Sequence, residues 1–188
     1  VQKIKDKILI GNICAVVTLF AWDFTYIIGK FLLKELEPVQ ILIFRFVLVA
    51  LLSALLNIKE YHKKSFKEES RFIIVGFLIF LYFILENSGL KLTNASNIGF
   101  ILGTLPFLSS ITAHFFTKEK KKKKSLIIGF LISMFGVAVI SFSNGISVRI
   151  KGDMLMLGAV IIWSFYSLAL KKYKFGYSIY YVTKKTFT

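Results

Sequence analysis

The sequence predicts an all-α fold, a polytopic bundle of transmembrane helices, and three observations predict it. Of 188 residues, 56% are hydrophobic, and the mean hydropathy is +0.70. A soluble domain of this length has no interior large enough to hide so much apolar side chain. Six apolar runs can be read along the chain, at 8–28, 39–56, 72–90, 95–116, 126–142 and 154–170. Each holds about 17–22 residues, enough to cross a hydrocarbon core of ~30 Å at ~1.5 Å per residue. Spanning strands would be only about 10 residues long and alternating.

The first run follows VQKIKDK, as a secretory leader would, but it is too long and no small-residue cleavage site follows it. It is read as a retained helix, with Cys14, the lone cysteine, packing inside it. The other helices are expected to start at Pro38, Asn94, Ser125, Asp153 and Ser178, all residue types favoured in caps or first turns. Connections are short, the longest being 57–70.

The net charge of +15 invites a nucleic-acid reading, but its distribution argues against one. With the N-terminus inside, 17 lysines and arginines fall in cytoplasmic segments and five in outer loops. That asymmetry fixes a cytoplasmic N-terminus. The run KEKKKKK at 118–124 is then a topology signal lying on anionic lipid headgroups, and nucleic acid is not an expected partner.

An internal echo appears at an offset of 141 residues: Gly11 meets Gly152, Trp22 meets Trp163, Phe24 meets Phe165 and Lys30 meets Lys171. One residue dropped in the loop aligns Arg45 with Lys185. Five spans separate the copies, an odd number, so the second copy enters the membrane upside down, the inverted-repeat plan of many secondary transporters. Residues 1–145 then form a first five-helix repeat and 146–188 the start of a second.

The stretch FAWDFTYIIGKFLLKELEPVQILIFRFVLVALL resembles the opening of EamA-like members of the drug/metabolite transporter superfamily, with an aromatic in the first helix and an arginine in the second. SGLKLTNASNIGFILGTLPFLSSI is similar to their third-to-fourth helix passage, and GDMLMLGAVIIWSFYSLALKKY to the Gly-Asp start of their second repeat. The resemblance implies ten helices in two inverted five-helix repeats, moving small metabolites such as amino acids or drugs across the cell membrane. Glu86 and Asn87 are more polar than is usual there.

Counting along the helices puts Asp23, Arg45 and Glu86 at one level, about 21–22 Å from the cytoplasmic side. Arg45 has aliphatic neighbours on its own face, so its partner must come from another helix, with Asp23 and Glu86 as candidates. Three readings follow: a triad that clips helices together, an arginine that grips a substrate carboxylate or phosphate, and a carboxyl that carries protons. Trp22 lies on a stripe with Gly11, Ala15, Thr18, Thr25 and Gly29, which suits either a cavity wall or an interfacial anchor. In the fourth span a small-residue stripe includes Ser96, Gly99, Gly103, Pro106 and Ser110. Pro106 should kink that helix and free a carbonyl near Leu102, which water or a solute in a cavity would satisfy. Asn87 lines the same expected cavity, and Trp163 joins it as the echo of Trp22. Gly129, Ser133, Gly136 and Ile140 read as close packing.

His62 and His114 stand apart from other ligand types, and the chain has no HExxH and no phosphate-cradling Gly-Lys-Ser/Thr loop. No metal or cofactor is expected, and the chain is not read as an enzyme. A secondary transporter is the leading reading, and a homodimer is compatible with it. A helical scaffold or channel subunit with buried charges as glue is the alternative.

Overall fold

The computed structural model describes residues 2–56, 65–117, 124–143, 149–173 and 175–187. These form helices α1 (Gln2–Leu32), α2 (Pro38–Leu56), α3 (Phe66–Leu92), α4 (Ala95–Gly103), α5 (Leu105–Phe116), α6 (Lys124–Ser143), α7 (Ile150–Tyr173) and α8 (Ile179–Phe187), with no strand among the described residues. Five segments are long and apolar enough to cross a membrane: Ile8–Leu32, Pro38–Leu55, Phe66–Leu92, Ala95–Phe116 and Ile150–Tyr173. The fifth apolar run forms α6, of which Ile127–Gly136 is the apolar helical part. The polybasic run at 118–123, the loop at 57–64 with His62, and the side chains of Ser133 and Ile140 lie outside the described residues.

Local chemistry sets the helix ends. Pro38 opens α2 where its missing N–H would have no partner, and Glu37 N–H donates to Gln40 Oε1 at 2.8 Å. Ser65 precedes α3, its N–H donating to Glu68 Oε2 at 3.3 Å. Asn94 and Ser178 precede α4 and α8 as expected. Helix α7 begins at Ile150, so Asp153 sits in its first turn rather than at its start. There its Oδ2 accepts the Arg149 N–H at 3.0 Å, and both carboxylate oxygens take Asn97 Nδ2 at 3.0 Å. Thr93 Oγ1 also donates to Oδ1. One carboxylate thereby ties α7 to the α3–α4 corner. Asp153→Ala should lower stability by about 1–2 kcal/mol in thermal unfolding in detergent, as loss of a helix-end cap does.

The fourth span is two helices. It breaks at Thr104, whose N–H reaches the Ile101 and Leu102 carbonyls and whose Oγ1 donates to Ile101 O at 2.6 Å. The carbonyl freed by Pro106 is thus met within the chain, by Thr104, and does not need a solute. Pro106 itself is exposed on the bundle surface, while Gly103 is half-buried at the end of α4. The expected wall role for Pro106 is therefore not where the structure puts it.

The core runs along the α3–α7 interface, where Val75, Ile79, Tyr82, Met156, Ala159 and Val160 are buried. Close approach there needs glycine. A Cβ on Gly89 would meet Met156 Cγ at 2.7 Å, and one on Gly152 would meet the Leu92 carbonyl carbon at 2.7 Å. By contrast, Phe20, Phe24, Phe31, Phe44, Leu48 and Leu55 are each more than half exposed. An outer surface this apolar is what contact with lipid tails requires. Cys14, expected to pack inside, is exposed on α1.

The helix ends also give relative direction. Lys30, near the end of α1, donates to Leu90 O at 2.6 Å and Thr93 O at 2.5 Å, while Asp153, at the start of α7, bonds Thr93 and Asn97. The finish of α1 and the start of α7 share one end of the bundle, so these two helices are antiparallel. At the other end, Lys185 pairs with Glu69 at 3.2 Å, and Phe72 stacks on Phe175 with centroids 4.2 Å apart.

Candidate functional site: a charge and tyrosine centre inside the bundle

Arg45 on α2 and Glu86 on α3 meet, with Nη1 3.7 Å from Oε2. Glu86 is only 4% exposed, so what surrounds it must replace water. Its Oε1 accepts the hydroxyl of Tyr26, from α1, at 2.8 Å and that of Tyr82, one turn earlier on α3. The two tyrosine oxygens lie 3.4 Å apart. The Arg45 guanidinium lies over the Phe83 ring, 4.4 Å from its centroid, so the ring face stabilises a cation that would be costly beside lipid. Three helices therefore converge on one carboxyl group.

Beside this centre is an aromatic column. The rings of Trp22 and Trp163 are 5.0 Å apart, Trp163 is 4.8 Å from Tyr82 and 5.3 Å from Tyr166. The two tryptophans that echo each other in sequence thus touch at mid-helix. Asn87, next to Glu86, is 1% exposed, and its Nδ2 has no hydrogen-bond acceptor among the described residues. A buried amide donor left open in this way is uncommon and costs about 1–3 kcal/mol.

Two expected members stand apart. Asp23 is exposed and does not join the pair: Arg45 turns to Glu86, and Asp23 has no hydrogen bond or ion pair among the described residues. Thr25 is also exposed, its Oγ1 donating back to the Trp22 carbonyl at 2.6 Å. The inward face of α1 carries Trp22, Tyr26 and Gly29, so the expected stripe keeps Trp22 and Gly29 while Tyr26 takes the place of Thr25. Tyr26 and Tyr82 were not anticipated. Both were marked by spacing, Tyr26 four residues beyond Trp22 and Tyr82 four before Glu86, which puts each on the same helix face as its neighbour.

Two clefts open along the bundle. One, of about 710 Å³, lies between α1, α3 and α4 and is lined by Asp23, Tyr26, Phe31, Leu90, Ile98 and Leu102, among others. The other, of about 430 Å³, lies between α2, α3 and α8 and includes Phe46, Glu69, Gly76 and Lys185. Tyr26 is shared by the first cleft and the centre, and Phe46, whose ring is 6.3 Å from Phe83, lies in the second.

An uncharacterized transporter, YetK of Bacillus subtilis (strain 168), is 32% identical to this chain over 98 residues, half of this chain and 29% of that protein's length. The matched region is thus under a third of the relative. No solved structure matches. Residues 9–142, spanning α1 to α6 and hence the whole Arg45–Glu86 centre, match the EamA-like transporter family, and the chain is a multi-pass membrane protein belonging to that family.

Proposed function

We propose that the chain is part of a secondary transporter that moves small metabolites, amino acids or drugs among them, across the cytoplasmic membrane by alternating access around the Arg45–Glu86 centre. The observation that carries this reading is a carboxyl 4% exposed within a membrane-spanning helix, held by groups from three separate helices. Ionisable groups at such depth are expensive and mark solute or ion pathways. The two clefts support it, since one shares Tyr26 with the centre and the other contains Phe46, whose ring packs on Phe83. In this reading α1–α6 form one repeat, α7 and α8 open an inverted second one with ten helices in all, and the N-terminus is cytoplasmic. The antiparallel α1 and α7, joined through Trp22 and Trp163, support the inverted relation. Arg45 and Glu86 exchange each other for substrate groups, and Trp22, Trp163 and Asn87 line the path.

The test is uptake into proteoliposomes of pooled labelled amino acids and amines, with and without a proton gradient. Glu86→Gln should reduce uptake at least about tenfold with folded protein recovered in normal yield. Uptake left unchanged by Glu86→Gln in the transporting protein would reject the role. A solute-gated electrical current instead of saturable uptake would favour the channel-subunit alternative.

A further inference from the structure

Within the membrane-spanning level of α1–α3 there are two acids and one guanidinium, and the structure gives that guanidinium to Glu86. Asp23 is left without a resident cation while it lines the cleft of about 710 Å³. That volume lies within the range of small-molecule sites, and the cleft wall is otherwise mostly apolar: Ile27, Phe31, Leu33, Leu90, Ile98 and Leu102. The cleft's lysines are not available at depth. Lys30 holds the Leu90 and Thr93 carbonyls, Lys91 holds Glu37 at 2.6 Å, and Lys34 lies over the Phe31 ring at the outer rim. Along α1, Asp23 and Lys30 are seven residues apart, about 10 Å, so a short zwitterion cannot bridge them.

We propose that this cleft binds an organic cation, a protonated amine on an apolar body, with its ammonium on the Asp23 carboxylate. A carboxylate beside a mostly apolar wall within the membrane attracts a cation more strongly than one surrounded by bulk water, because the low-dielectric wall screens the pair less. The apolar body lies along Phe31, Leu90, Ile98 and Leu102, and the ammonium end lies one turn from Tyr26, which holds Glu86. The cleft and the charge centre thereby share Tyr26. The inference deepens the transporter reading by naming a substrate class, but it concerns binding and is tested without transport.

The chain in nanodiscs of zwitterionic lipid is equilibrated by dialysis with phenylbutylamine, phenylbutanol or phenylbutyrate, which share an apolar body and differ in charge. The amine should bind about tenfold or more tightly than the alcohol, and the carboxylate weakest. Asp23→Asn should abolish the preference for the amine while leaving alcohol binding unchanged, which a misfolded protein would not do. Gly99→Leu, where a Cβ meets nothing within 4 Å on the cleft wall, should weaken all three. Equal binding of amine and alcohol by the unmodified chain, or an amine preference that survives Asp23→Asn, overturns the proposal. Amine binding that Asp23→Asn abolishes leaves this proposal standing even where Glu86→Gln leaves uptake unchanged, a result that removes the transport role of the Arg45–Glu86 centre.

Discussion

Replacing Arg45 by methionine is expected to be the most destabilising single change inside the bundle, and the double variant Arg45→Met/Glu86→Met should recover most of the loss. Glu86 is buried, and Arg45 supplies its only ion pair among the described residues, 3.7 Å away. Removing one partner of a buried pair typically costs about 3–5 kcal/mol, because the remaining group has lost both water and its counter-charge. The Tyr26 and Tyr82 hydroxyls still donate to Oε1, so the low end of that range applies. Removing both partners discards the desolvation problem along with the attraction, and a similarly sized apolar pair is often close to neutral. Unfolding of the four proteins of the cycle in detergent measures the coupling. A single variant as stable as the parent would mean that the pair does not hold the helices. The double variant also separates function from glue: if transport returns along with stability, the two charges only fasten α2 to α3.

Much of this arrangement was legible in the sequence, and what was missed has a physical cause. Run length and hydropathy place the helices because a bilayer demands continuous apolar length whatever the tertiary packing. Depth counting put Arg45 and Glu86 at one level because rise per residue is nearly constant, and the two do meet. Rotation about the helix axis is not fixed by such counting. Asp23 faces the α1–α4 cleft rather than Arg45. A turn of about 100° per residue separates partner from bystander. Thr25 was misplaced for the same reason: of the expected stripe Trp22 and Gly29 do face inward, but Tyr26 and not Thr25 lies between them. Tyr26 and Tyr82 were overlooked because tyrosine is common in membrane helices, and only a partner makes one notable. The Pro106 kink was anticipated, but its consequence was not. Thr104, two residues earlier, supplies the hydrogen bonds that a cavity was expected to provide.

Gly152→Ala should destabilise more than Gly89→Ala, and Gly99→Ala should not destabilise at all. All three changes add one methyl group to a helix, so the difference lies in what the methyl meets. At Gly152 it meets backbone, the Leu92 carbonyl carbon at 2.7 Å and Thr93 N at 2.8 Å, and backbone cannot turn aside. Helix α7 must move, and with it Asp153, the next residue, which holds Thr93 and Asn97. Overpacking costs about 1–3 kcal/mol, and the upper half of that range applies where a hydrogen-bonded corner moves too. At Gly89 the nearest atoms are Met156 Cγ at 2.7 Å and Sδ at 2.9 Å. They belong to a flexible thioether chain that can change rotamer, although Met156 N at 3.0 Å limits the relief. At Gly99 nothing lies within 4 Å, so only the helix-propensity gain remains, up to about 1 kcal/mol in favour of alanine. Thermal unfolding of the three variants under one detergent condition gives the order directly. If Gly152→Ala matched Gly99→Ala, α7 would not be seated against the α3–α4 corner, and the antiparallel contact that brings Trp163 to Trp22 would lose its anchor.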